Sequence, residues 1–297
     1  MLLLAGLTPA QIFTLRFTIA YLLLLGYELL MKRSSFRFFK SSFRDESLMM
    51  ILGLTGGSLY FLMENSAMNY TTTTNTSLIV SLSPLVATAL ITVFYKSQRL
   101  RRIQILGTLM AALGVIVVVL NGHFVLHLSP LGDSLAFGAA LCWGFYSLLM
   151  IPANAKYDTL FITRKVFFYG LLTMIPYFLI RPEEVDVSIF QLFSLSILFN
   201  LLFLGCVASM LCFLAWNWVL KKLGAVIATN YVYFNPVTTI VFAWFILSEQ
   251  ITGWFLLGTA LILVGMVLAD KRKIEVNRNE IERTIDAETE EHGAGTV

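Results

Sequence analysis

A chain of 297 residues that is 58% hydrophobic and only 13% charged, with a net charge of +3, is not a soluble domain, because soluble domains carry about 25% charged residues. The mean hydropathy of +0.79 agrees. The apolar residues come in unbroken runs rather than alternating ten-residue stretches, which selects membrane-spanning helices over a barrel.

Nine spans are predicted: Pro9–Met31, Ser47–Tyr70, Thr74–Tyr95, Ile103–Asn121, Leu131–Ile151, Phe161–Ile180, Ser194–Val219, Ala225–Leu247 and Thr252–Ala269. A charged tail, residues 270–297, follows and is expected to be disordered. In this arrangement every basic residue except Arg16 and Arg181 falls on one side, including those after the first and third spans, Lys221, Lys222 and those of the tail. That side is the expected cytoplasm, with the C-terminus inside and the protein integral to a plasma membrane (the inner membrane of a Gram-negative cell). Met1-Leu2-Leu3-Leu4 carries no basic flank and no cleavage site, so no signal peptide is expected.

The chain repeats. Leu59-Tyr60-Phe61-Leu62 aligns with Leu211-Cys212-Phe213-Leu214, Asn65 then meets Asn217, and Pro84 meets Pro236. After a one-residue drop, Gly107-Thr108 meets Gly258-Thr259 and Gly114 meets Gly265. Such a run of matches across three spans marks an internal repeat. The second half holds five spans, an odd number, so the halves cross the membrane in opposite directions. Inverted repeats with irregular helices at the midplane are a transporter architecture. Pro84 and Pro236 lie half-way along their spans, where each is expected to weaken or bend its helix.

These residues carry a resemblance to the drug/metabolite transporter superfamily, EamA-like branch. That family has two inverted five-helix repeats, a mid-helix proline, a Glu at the end of that helix and a glycine-spaced last helix. Pro236, Glu249, Gly258 and Gly265 fit the pattern, as do Pro84, Gly107 and Gly114 in the first half. Lys96, Ser97, Gln98 and Arg99 stand where the first half should carry its Glu. Arg16 matches an Arg early in the family's second helix. The resemblance covers Pro9–Ala269 and lacks the family's first helix. The fold class is thus an all-α polytopic membrane protein with nine predicted transmembrane helices from two inverted repeats: residues 1–121 with four helices and residues 131–269 with five. The resemblance implies a secondary transporter, an exporter of small polar metabolites such as amino acids. A drug exporter or lipid-linked-sugar flippase of the same fold is the alternative, and a non-transporting receptor or scaffold a third reading that short loops disfavour.

Arg16 and Glu64 are the ionisable side chains well inside spans on the outer side, each roughly 10 Å deep at 1.5 Å per residue. A lone charge there is costly, so the two are expected to pair, as an outer gate, a substrate carboxylate site or a structural ion pair. Arg164 and Lys165 lie near the inner face, where they can snorkel, with a gating role as the alternative. Ser77, Ser81 and Thr88 share one helical face around Pro84, and Thr229, Tyr233 and Thr239 stand in the matching region of the second half. With Asn65, Asn217 and Asn235 they outline a central path, although Ser and Thr also bond their own helix carbonyls. Tyr60, Trp143 and Tyr146 are candidate aromatic walls, or ordinary packing. Trp216 and Trp218, beside Lys221 and Lys222, read as interfacial anchors.

No metal, cofactor or catalytic centre is expected. His123 and His127 lack a third ligand, Cys142, Cys206 and Cys212 fall in apolar runs, and no glycine-rich loop precedes a lysine. The expected partners are a small-molecule substrate and the lipid bilayer, with no nucleic acid, in a monomer or homodimer.

Overall fold

The computed structural model describes residues 7–31, 42–95, 102–120, 129–184, 195–235, 237–238, 241 and 252–269. Every regular element among them is helical. In chain order these are α1 (Pro9–Met31), α2 (Phe43–Ala67), α3 (Asn75–Phe94), α4 (Arg102–Leu120), α5 (Pro130–Lys156), α6 (Thr159–Leu172), α7 (Ile175–Ile180), α8 (Leu195–Leu223), α9 (Ala225–Phe234) and α10 (Gly253–Ala269). Six of the described helices, α1 to α5 and α8, are long and apolar enough to cross a membrane. The chain is an all-α polytopic membrane protein.

Local chemistry sets the boundaries. The Thr72 hydroxyl accepts from the Asn75 amide ahead of α3, and Ser129 caps α5 by accepting from the Gly132 amide, with Pro130 in the first turn. α8 stops at Gly224, whose φ of +84° suits a residue without Cβ. α5 is longer than its predicted span: 27 residues, or roughly 40 Å, carry Lys156 beyond the apolar run. The predicted sixth span is interrupted at Thr173–Met174, ahead of Pro176, and divides into α6 and α7.

The expected break at Pro84 is present. Regular α-helical bonding runs over Thr73–Val80, gives way to a turn at Ser81–Leu82, and resumes over Ser83–Phe94. Proline has no amide hydrogen to continue the ladder. Its partner Pro236 lies outside the described residues, as does Thr239; the chain leading to it, Tyr231–Phe234, is a 3-10 turn.

Two further irregularities have no proline. Leu54–Ser58 within α2 and Phe203–Leu211 within α8 are π-helical. They coincide in the repeat, because the offset of 152 residues carries 54–58 onto 206–210. In α2 the glycines permit close approach. A Cβ on Gly53 would come within 2.7 Å of the Gly170 backbone, and one on Gly56 would fall on the Tyr146 ring.

The chain divides into two compact units. The first, residues 1–94 and 125–229, includes α1–α3 and α5–α8, and its core contains Phe17, Leu24, Leu52, Tyr146, Ile162 and Phe167. The second, residues 95–124 and 230–297, includes α4 and α10. In it a Cβ on Gly107 would come within 2.6 Å of the Gly265 carbonyl, and one on Gly114 within 2.7 Å of the Gly258 carbonyl. Gln104 adds a hydrogen bond from Nε2 to the Ala269 carbonyl at 3.1 Å. The glycines thus serve close helix packing.

Candidate functional site

The first unit has two unlike ends. At the end that carries Pro9, Tyr70 and Arg181, a cavity of about 310 Å³ opens, lined by Thr8, Asn65, Asn69, Tyr70, Tyr177 and Arg181 among others. Asn65 spends Nδ2 on the carbonyl of Phe61 in its own helix, at 2.8 Å. Phe13 and Phe61 also line the cavity, and their rings meet at a tilt with centroids 5.1 Å apart.

Arg16 packs against Phe61, with its guanidinium carbon 4.9 Å from the ring centroid. Its Nε donates to the Ser209 hydroxyl at 2.8 Å, and Ser209 belongs to the π-helical segment of α8. Glu64 accepts from the Tyr60 hydroxyl at 3.2 Å. The expected direct pairing of Arg16 with Glu64 is absent among the described residues. Each has taken a neutral hydroxyl partner, although each lies within electrostatic range of the other.

An aromatic layer follows. Phe17 meets Phe61, Phe167 and Phe213 at 6.1, 4.8 and 5.9 Å, and Phe167 meets Phe213 at 5.3 Å. Beside it, Trp143 contacts Tyr60, Tyr146 and Trp216 at 5.4, 5.4 and 5.9 Å. Trp216 is therefore a wall of this layer rather than an interfacial anchor, whereas Trp218 is 55% exposed. Tyr146, fully buried, donates its hydroxyl to Asn217 Oδ1 at 2.6 Å, and Asn217 Nδ2 donates to the Thr163 hydroxyl at 2.9 Å. One amide thus ties α5, α6 and α8 together.

The opposite end is closed by charge. Arg164 pairs with Glu28 at 2.8 Å, and Lys165 with Glu46 at 2.8 Å; both cations are 1% exposed. Tyr169 also donates to Glu46. Nearer the rim, Lys156 and Tyr157 both bond Asp45, at 2.8 and 2.9 Å. Arg164 and Lys165 therefore do not snorkel. On α6 they face α1 and α2, where acids receive them. Glu28, Glu46, Thr163 and Ser209 were not singled out from the sequence. A carboxylate inside the first apolar run was the available signal for Glu28, and no pattern distinguished the other three.

The remaining predicted path residues are dispersed. Ser77 is exposed and Ser81 half-buried, while Pro84 and Thr88 are buried. Thr229 bonds the Ala225 carbonyl of its own helix at 2.8 Å. In the second unit, Tyr233 is buried and Asn235 exposed. Among the described residues no group of three or more His, Cys, Asp or Glu side chains could hold a metal ion.

Comparison with known proteins matches this chain to the EamA-like transporter family over residues 2–120 and 130–269. It is 24% identical over 267 residues, 90% of each chain, to an "Uncharacterized transporter" of Archaeoglobus fulgidus. It is 25% identical over 231 residues to a "Probable terminal-alkyne amino-acid exporter" of Streptantibioticus cattleyicolor, covering 78% of this chain and 75% of that one. A solved crystal structure shares the fold with a TM-score of 0.72 at 21% identity, over 89% of this chain and 88% of the other.

Proposed function

Because this chain belongs to the EamA-like transporter family, we propose that it is a secondary transporter that exports small polar metabolites, amino acids among them, by alternating access through the first unit. One observation carries this reading: repeat-equivalent residues are in opposite states at the two ends. Asn65 lines an open cavity and bonds only its own helix, whereas Asn217 is buried and joins three helices. An inverted-repeat transporter caught open on one side has this form, because its halves exchange roles as access changes sides. The basic residues near Lys156 support a cytoplasmic tied end and a cavity that faces outward. Arg16 packs on Phe61, a residue of the cavity wall, and supplies a cation for a substrate carboxylate. The relative named as an amino-acid exporter supports that class of substrate.

The test is counterflow in proteoliposomes of the purified full chain, with a panel of labelled amino acids and small organic acids. Accumulation of at least one solute, weakened by Arg16→Gln, is expected. Wild-type vesicles that accumulate none of the panel would overturn the reading.

A further inference from the structure

We propose that Arg16 and Glu64 form the two poles of a zwitterion site, with Arg16 receiving the carboxylate of a free amino acid and Glu64 its ammonium group. The inference rests on the transport reading above and specifies the substrate that the site admits.

Among the described residues of the first unit, three opposite-charge pairs close at 2.8 Å, Arg164 on Glu28, Lys165 on Glu46 and Lys156 on Asp45, and the exposed Arg181 stands 3.9 and 4.0 Å from Glu184 and Glu183. Arg16 and Glu64 are held apart instead. Ser209 takes the Arg16 Nε and Tyr60 takes Glu64 Oε1. Among the described residues, the two terminal nitrogens of Arg16 and the second oxygen of Glu64 make no hydrogen bond. None of those three atoms is sealed from the surface.

Occupying Nε in this way orients the guanidinium and leaves its end free for the two-pronged contact that a carboxylate makes best. The π-helical turn supplies the orienting hydroxyl, a common placement for such turns. Phe61 and Phe17 lie 4.9 and 5.8 Å from the Arg16 guanidinium carbon, and Tyr60, which bonds Glu64, contacts the Phe61 and Trp143 rings; aromatic rings suit an ammonium group and an apolar side chain.

Unmatched charges at this depth are costly. A ligand with both charges satisfies both poles. A plain anion or a plain amine satisfies one and leaves the other uncompensated, so the site discriminates by subtraction as well as by attraction.

The experiment measures competition for transport, and the ligand-induced melting shift in detergent, with three probes of one side chain: a free amino acid, its N-acetyl derivative and its decarboxylated amine. In wild type the free amino acid is expected to act at concentrations at least about tenfold below both analogues, the scale of one charge-assisted hydrogen bond. Glu64→Gln should erase the preference over the N-acetyl derivative and keep that over the amine. Arg16→Gln should do the reverse. Glu64→Asp, which keeps the charge, should retain the wild-type order and shows that the site folds with an altered side chain. If Glu64→Gln transports with the wild-type ratio between free and N-acetylated ligand, the zwitterion site is wrong while the transporter reading stands. If the wild-type protein moves nothing in counterflow, the transport reading falls and this inference with it.

Discussion

Asn65 and Asn217 share a place in the repeat and an amide side chain, yet their bonds differ. Asn217→Ala strands the Tyr146 hydroxyl in a fully buried position, while Thr163 keeps its bond to the Thr159 carbonyl. Losing that one buried partner should destabilise the protein by about 1–3 kcal/mol. Asn65→Ala leaves no other side chain stranded and should change stability by less than about 0.5 kcal/mol. Thermal or denaturant unfolding in detergent measures both, and equal losses would contradict the assigned asymmetry. The repeat made Asn217 visible in the sequence. Its partner Thr163 was not, because a Thr in an apolar run most often bonds its own helix, and Thr163 does that as well.

At the scale of elements, α6 shows how position changes the meaning of a charge. Arg164 and Lys165 stand in its second turn, close enough to the helix end that the sequence suggests an escape to water. The acids of α1 and α2 instead receive them. Lys165→Ala should cost about 3–5 kcal/mol, because it removes the cation at 2.8 Å from a largely buried carboxylate, which then keeps the Tyr169 hydroxyl. Lys156→Ala, at a side chain 57% exposed, should leave stability nearly unchanged. A Lys165→Ala variant as stable as wild type would mean that the pair is hydrated. The helix irregularities follow the same logic. Proline announces the break in α3, but the π-helical turns of α2 and α8 arise from packing. Gly53 and Gly56 hint at the first only through the close neighbours that the fold brings to them.

For the whole molecule, the inverted repeat leaves its mark on contacts as well as on sequence. Gly107 faces Gly265, and Gly114 faces Gly258. Exchange of repeat partners, 107 for 258 and 114 for 265, turns each contact into the other, as a two-fold relation in the membrane requires. Phe61 and Phe213, also partners, both pack on Phe17. If the halves exchange states during transport, the tied end must open in each cycle. A Glu46→Cys, Lys165→Cys pair, made with Cys142, Cys206 and Cys212 replaced by Ala, tests this requirement. A short thiol cross-linker should reduce counterflow at least about tenfold, and a reducible linker should allow recovery. Full flux with the link intact would exclude opening between α2 and α6.

The sequence by itself determined the membrane class, the helix-only architecture, the inverted repeat, the break at Pro84 and the family. The first four follow from composition, apolar run length and residue-to-residue matches along the chain, which need no knowledge of neighbours; the family follows from the resemblance of its proline, glutamate and glycine motifs. It also singled out Arg16 and Glu64, because a charge inside an apolar run is conspicuous. Tertiary structure decided what those charges touch. Ser209 and Tyr60 intervene, and acids distant in sequence take the cations that seemed bound for water. The reason is physical: the cost of a buried charge is set by the groups within a few ångströms, and helix packing alone brings those groups together.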